Sequence, residues 1–95
     1  MQLGKIVGTV VSTIKDEKLE GLKFHMVNNI DVDGKPVGGM VVAVDSVGAG
    51  TGEYVLYASG SAARQTDITK GLPVDAVIMA IVDLLEVDGK IRYKK

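Results

Sequence analysis

The sequence predicts an all-β chain: a small five-stranded closed β-barrel with one short helix, of OB-like architecture. Three observations predict it. The first is composition: fifteen Val and seven Ile stand against one Phe, three Tyr and no Trp among 95 residues. β-branched side chains fit a pleated, half-buried surface better than a helix. The second is punctuation, because glycine and Asp-Gly signals cut the chain into pieces of strand length. The third is that only one short stretch has helix-forming composition.

Taken in order, Gln2 to Ile14 is rich in Val, Ile and Thr and reads as the first strand. Gly4 and Gly8 inside it mark a bend or a close backbone approach, as at a barrel corner. Lys15 to Gly21 is polar and reads as a loop. Leu22 to Asp31 alternates, with Leu22, Phe24, Met26 and Ile30 on an apolar face and Lys23, His25, Asn29 and Asp31 on a polar one. Asp33-Gly34 with Lys35 to Gly39 supplies a loop with turn chemistry. Met40 to Val47 is the third strand and Glu53 to Ser59 the fourth. Ser61 to Ile68 is the helical turn, ended by Gly71 and Pro73. Val77 to Val87 has helical spacing as well as a continuous β-branched run, and reads as strand. The Asp88-Gly89 turn then returns Lys90 to Tyr93 as a hairpin partner.

Three of these strands, Gln2–Ile14, Met40–Val47 and Val77–Val87, are apolar on both faces. A closed barrel buries only its inner face, and helices that would cover the outer one are missing. So much Val and Ile left in water calls for another subunit. The barrel is therefore expected to associate with itself.

The charge balance excludes several classes. A formal net charge of −1 supplies no long-range field for nucleic acid or anionic lipid. Single-strand binding needs aromatic stacking in a basic groove, and four aromatic residues do not make one. The cluster Lys90, Arg92, Lys94 and Lys95 reads as a solvated basic end. Without Cys there is no disulfide, thiolate metal site or cysteine nucleophile. Lys5 and the glycines interrupt MQLGKIVGTVVSTIK, so it does not read as a signal peptide. The apolar stretch Ala76 to Val82 is far below the ~20 residues of a membrane helix. The expectation is a soluble cytoplasmic protein, with one domain over 1–95.

The candidate chemistry is thin. Gly48-Ala49-Gly50-Thr51-Gly52-Glu53 has the spacing G-x-G-x-G rather than G-x-G-x-x-G, and it leads into a strand where phosphate binding needs a helix N-terminus. It reads as a tight crossing where backbones approach closely. His25, the single histidine, reads as a surface or interface residue. Asp31-Val32-Asp33-Gly34 echoes a calcium loop without its closing Glu, and reads as a turn. Asp45, Glu53, Asp75 and Asp83 lie in or beside apolar runs and need partners, for which Arg64 or Lys5 could serve. No constellation amounts to an active site, and no cofactor or metal site is expected. An OB-type module for a small ligand or oligonucleotide is the alternative reading.

Five blocks carry a resemblance: Gly8-Thr9-Val10-Val11-Ser12-Thr13; Leu19-x-Gly21-x-Lys23; Val42-Ala43-Val44-Asp45-Ser46-Val47-Gly48-Ala49-Gly50-Thr51-Gly52-Glu53; Ser59-Gly60-Ser61-Ala62-Ala63-Arg64; and Val74-Asp75-Ala76-x5-Val82-Asp83. In this order they resemble the vertex proteins of bacterial microcompartments, the family that includes the ethanolamine-utilisation and carboxysome vertex proteins. Phe24-His25-Met26 departs from the aliphatic residues expected at that place. The resemblance implies an OB-like barrel assembling as a homopentameric ring. Such rings cap the vertices of a polyhedral shell whose facets are hexameric shell proteins, without catalysis. It also implies subunit contacts or an axial opening at Gly48, Ala49, Gly50, Thr51, Gly52 and Glu53, and at Ser61 and Arg64. A five-fold ring is heterologous and closes by rotation.

Overall fold

The computed structural model describes residues 1–13, 16–71 and 74–95. Seven strands follow one another: β1 (Gln2–Val10), β2 (Phe24–Ile30), β3 (Pro36–Asp45), β4 (Tyr54–Ser59), β5 (Ala76–Ile81), β6 (Leu84–Val87) and β7 (Lys90–Lys94). The first five close into a barrel in the order β1-β2-β3-β5-β4, while β6 and β7 form a separate hairpin. The barrel is antiparallel except where β3 meets β5, with Val44 opposite Val77 and Asp45 opposite Ile78. This is the five-stranded Greek-key closure of the OB fold, as the sequence predicts.

β1 closes the barrel because it pairs on both edges, with β4 through Gln2–Lys5 and with β2 through Gly4–Val10. A bulge between Ile6 and Gly8 bends it between the two partners. At Gly4 the neighbours leave no room for a side chain. A Cβ there would stand 2.5 Å from Val27 Cγ1, 2.9 Å from the Tyr57 ring and 3.0 Å from the Asn28 carbonyl oxygen.

Several boundaries differ from expectation. The first strand ends at Val10; Ile14, its expected end, and Pro73, the expected helix terminator, lie outside the described residues. β3 begins at Pro36, so Lys35–Gly39 is largely strand rather than loop. The turn before it is compressed by Asp31, whose Oδ1 accepts the Asp33 and Lys35 amides at 2.9 and 3.0 Å. The Val77–Val87 run is two strands, broken at Val82 and Asp83, where the Val82 amide turns to the Tyr54 carbonyl at 2.8 Å. The expected helix is a 3-10 turn, Gly60–Arg64, and a second one, Glu17–Leu19, sits in the loop after β1.

The interior is filled by Ile6, Val27, Ala43, Val55, Tyr57 and Ile78. Alternate residues of the same strands face outward, where Val44, Ala58 and Val77 are buried with Ala63 and Val74. Phe24, Leu19 and Leu22 pack against this outer cluster. The 3-10 turn therefore hides part of the outer apolar surface, and the Thr69 hydroxyl fastens it by donating to the Ala63 carbonyl. Farther along β2 and β3, beyond Phe24 and Val44, that cover thins out among the described residues. Met40 is 51% and Val42 47% exposed, and Met26, directly opposite Val42, is half-buried beside them.

The face assignment of β2 is the reverse of the sequence expectation over Phe24–Val27, whereas Ile30, beyond a register shift, is buried as expected. His25 and Val27 point inward and are buried, whereas Phe24 and Met26 are on the outer face. Alternation is present, but β2 carries apolar residues on both faces, Val27 inside and Phe24 and Met26 outside.

Candidate functional site

The segment Gly48–Glu53 links β3 to β4 and is built from both ends by carboxylates. Asp45 terminates β3, and its Oδ1 accepts the amides of Val47, Gly48 and Ala49 at 2.9, 2.9 and 3.3 Å. Its other oxygen, Oδ2, lies 3.1 Å from His25 Nε2. Glu53 closes the loop from the opposite side, with Oε1 accepting the Gly50 amide at 2.6 Å and Oε2 lying 2.7 Å from Lys95 Nζ. The base of the loop is tied to β1, since the Gly52 amide donates to Ile6 O and the Ile6 amide to Glu53 O. Ala49 is buried against the barrel core, and Thr51 faces solvent.

The glycines here serve backbone conformation, not a close crossing. Gly48 and Gly52 have φ of 76° and 93°, which side chains rarely adopt. A Cβ on either would meet nothing within 4 Å, and one on Gly50 only Glu53 Oε1 at 3.7 Å. Close approach, expected in this loop, occurs at Gly4.

The loop's charges are strongly conditioned by their surroundings. Burial opposes ionisation of Asp45, yet the amides of Val47, Ala49 and Gly48 together with His25 outweigh it, and its pKa is lowered. The Glu53 pKa is lowered too, first by Lys95 and then by the Gly50 amide; Glu53 in turn raises that of Lys95. Four successive amides, from Val47 to Gly50, are thus already taken by the chain's own carboxylates. An anion arriving from solution would find those four amides occupied and a strand rather than a helix following.

Ser61 and Arg64 belong to a different place. The 3-10 turn follows β4, whereas the glycine loop precedes it. The six residues of Tyr54–Ser59 separate the two by about 20 Å at ~3.3 Å per residue. Among the described residues no hydrogen bond or ion pair joins them. Arg64 instead donates to the Val74 carbonyl at 3.2 Å and to Asp75 Oδ1 at 3.1 Å, the pairing of Arg64 with a nearby acid that the sequence allows. Ser61 is exposed.

Two features lie beyond the sequence reading. One is the His25–Asp45 pair, hidden because alternation along the sequence puts His25 on the polar face. The other is the docking of the β6–β7 hairpin. Tyr93 stacks on Tyr54 with ring centroids 3.8 Å apart, and Arg92 pairs with Asp33 at 3.1 Å. A tyrosine in an otherwise basic segment was the signal for it. Among the described residues no group of three or more His, Asp or Glu is placed to hold a metal ion, and no helix is long and apolar enough to cross a membrane.

Comparison with known proteins agrees with this architecture. Residues 1–83 match the family described as ethanolamine utilisation protein EutN/carboxysome. The carboxysome shell vertex protein CcmL of Gloeobacter violaceus is 45% identical over 95 residues, covering all of this chain and 95% of its own. The microcompartment shell vertex protein EutN of Salmonella typhimurium is 43% identical over 95 residues, covering all of this chain and 96% of its own. Among solved structures, Gloeobacter violaceus CcmL superimposes with a TM-score of 0.91 at 45% identity, over all of this chain and 98% of that one. The pentameric microcompartment shell protein GrpN of Rhodospirillum rubrum does so with a TM-score of 0.81 at 45% identity, over 92% of this chain and 99% of that one. With its barrel closure and most of its length matched in this way, the chain belongs to the EutN/CcmL family of microcompartment shell vertex proteins.

Proposed function

We propose that this chain is a structural shell protein without catalytic activity, five copies of which close a ring that caps a vertex of a cytoplasmic bacterial microcompartment. The observation that carries the proposal is the exposed apolar patch on the outer face of β2 and β3. The barrel interior is filled by its own side chains, yet Met40 and Val42 stand exposed outside it beside the half-buried Met26. Exposed apolar surface of this kind is an interface or an aggregation hazard. In a heterologous ring each subunit covers its neighbour's patch, and rotation closes the set. Relatives named shell vertex proteins, one of them a pentamer, set the ring size.

In the ring, Gly48–Glu53 and the Ser61–Arg64 turn serve as subunit contacts or line the axial opening. Their separation along β4 supports contacts at different levels of the assembly. A loop braced by its own carboxylates suits a shape-bearing wall element, because it needs no ligand to hold its form. The neighbours of such a vertex are hexameric shell proteins, whose flat arrays need five-fold units to close.

Native mass spectrometry tests this directly. Five chains of 10.0 kDa give a species of about 50 kDa. Monomer alone at micromolar concentration overturns the proposal, and a ring of another size overturns its vertex role.

A further inference from the structure

Through residues 92 to 95 the β6–β7 hairpin reaches both the β2–β3 turn and the junction of the glycine loop with β4. Arg92 Nη1 meets Asp33 of the β2–β3 turn at 3.1 Å. Tyr93 stacks on Tyr54 of β4 with ring planes 10° apart. Lys95 Nζ meets Glu53 at 2.7 Å, and the Lys95 amide donates to the Asp83 carbonyl at 2.9 Å, which fixes its backbone. Tyr54 is itself held in place. Its ring end occupies the space beside Gly34, where a Cβ would collide with the hydroxyl.

We infer that this hairpin is a clasp on the glycine loop, with Lys95 acting through Glu53 to set the position of the Gly50 amide. The chain of contacts is continuous: hairpin backbone, Lys95 ammonium, Glu53 carboxylate, Gly50 N–H. Glu53 has two oxygens and divides them, one to each partner, so the ion pair orients the carboxylate for the amide. Without Lys95 the carboxylate is free to rotate into solvent, and Gly50 loses its acceptor. On the other side, the Asp45 half of the loop is braced from inside the barrel by His25 and does not depend on the hairpin. The loop therefore has a fixed half, Val47–Ala49, and a conditional half, Gly50–Glu53. The Glu53–Lys95 pair is partly exposed, so salt weakens the clasp and leaves the barrel unaffected. The coupling is internal to one chain and stands whether or not a ring forms.

Residue-resolved amide hydrogen exchange on the full-length protein tests it, with the Gly50 amide as reporter and the Val27 and Ile78 amides as controls. Lys95→Met is expected to speed Gly50 exchange about five-fold, the effect of losing a partly exposed charge pair. Glu53→Gln should act similarly, and the double variant no more than the stronger single one. Tyr93→Ala leaves both charges in place but undocks the hairpin, and it should speed Gly50 as well. Gly50 exchange within two-fold of the parent in Lys95→Met or in Tyr93→Ala overturns the clasp. So does a rise shared equally by Val27 and Ile78, which is general loosening. Native mass of the same samples reads ring formation separately, so loss of the ring and loss of the clasp are distinguished.

Discussion

His25 Nε2 lies 3.1 Å from Asp45 Oδ2 inside the barrel mouth, with the two side chains 6% and 4% exposed. Asp45 stands two residues beyond Ala43, the direct partner of His25, so the pair bridges β2 and β3 diagonally on the inward face. The arrangement makes Asp45 the hinge between barrel and loop, since one oxygen serves His25 and the other three backbone amides. Among the described residues the buried His25 Nδ1 has no hydrogen-bond partner, so the ring is held there by its contact with Asp45. Asp45→Ala should therefore cost about 1–3 kcal/mol, the range for leaving buried hydrogen-bonding groups without their acceptor. Asp45→Asn keeps a carbonyl oxygen for the amides and should lose clearly less. Urea midpoints of the two variants check this ordering. A loss below about 1 kcal/mol for Asp45→Ala, the worth of an ordinary exposed pair, would count against the hinge.

The same groups set the pH range of the fold. Asp45 and Glu53 have lowered pKa values in the folded chain, so their stabilisation is complete above the ordinary carboxylate range near ~4 and is lost as pH falls through the lowered values. Lys95, held by Glu53, and Tyr57, held by burial, have raised values. Their contributions are complete below the ordinary Tyr and Lys range near ~10 and are lost as pH rises beyond it. A stability plateau between about pH 5 and 9 follows. Urea midpoints measured across pH check it. Asp45→Asn should flatten the acid limb and Tyr57→Phe the alkaline one, and limbs unchanged in both variants would sink this assignment.

Gly4 gives the sharpest steric test. An added Cβ would meet a β2 side chain, a β4 ring and a backbone carbonyl at 3.0 Å or less, and the carbonyl cannot move without the ladder. Gly4→Ala should destabilise by about 1–3 kcal/mol, as overpacking of a filled core does. Gly39→Ala, in β3 with nothing within 4 Å and no positive φ, is its control and should stay within about 0.5 kcal/mol. Equal thermal midpoints for the two variants would remove Gly4 from its place at the strand crossing.

Much of this architecture was legible in the residues, and the misses share a physical origin. Strand existence followed from β-branched runs, and the β6–β7 return from Asp88-Gly89. The β2 faces came out reversed because alternation gives the period of a strand but not which side is core. In this barrel His25 is drawn inside by Asp45, a partner twenty residues away, while Phe24 and Met26 go outside. The break at Val82 was hidden for a similar reason: only the distant Tyr54 carbonyl gives the Val82 amide a reason to leave the ladder. In the glycine loop the unusual residues were evident, but their role turned on φ and on which carboxylate the amides face. Both are tertiary facts. Lys95 read as one of four solvated cations until Glu53 was opposite it.

The outer face of β1–β3 supplies the remaining prediction. Val42 is 47% exposed and pairs across the ladder with Met26, whose neighbour on β1 is Gly8. In an isolated barrel a lysine at position 42 would reach solvent and change stability by no more than about 0.5 kcal/mol, as surface substitutions do. Between two subunits the same lysine would bring an unpaired charge into an apolar seam, where it costs several kcal/mol per ion. A closed ring repeats that cost at every interface, so the effect multiplies around the assembly. Val42→Lys should therefore shift the native mass from about 50 kDa to the 10.0 kDa chain, with the β-sheet circular dichroism intact. Val32→Lys, the same change on the exposed β2–β3 turn, should leave the ring in place. If the Val42 variant assembles with parent affinity, the seam lies on another face, because a buried lysine there could not be silent.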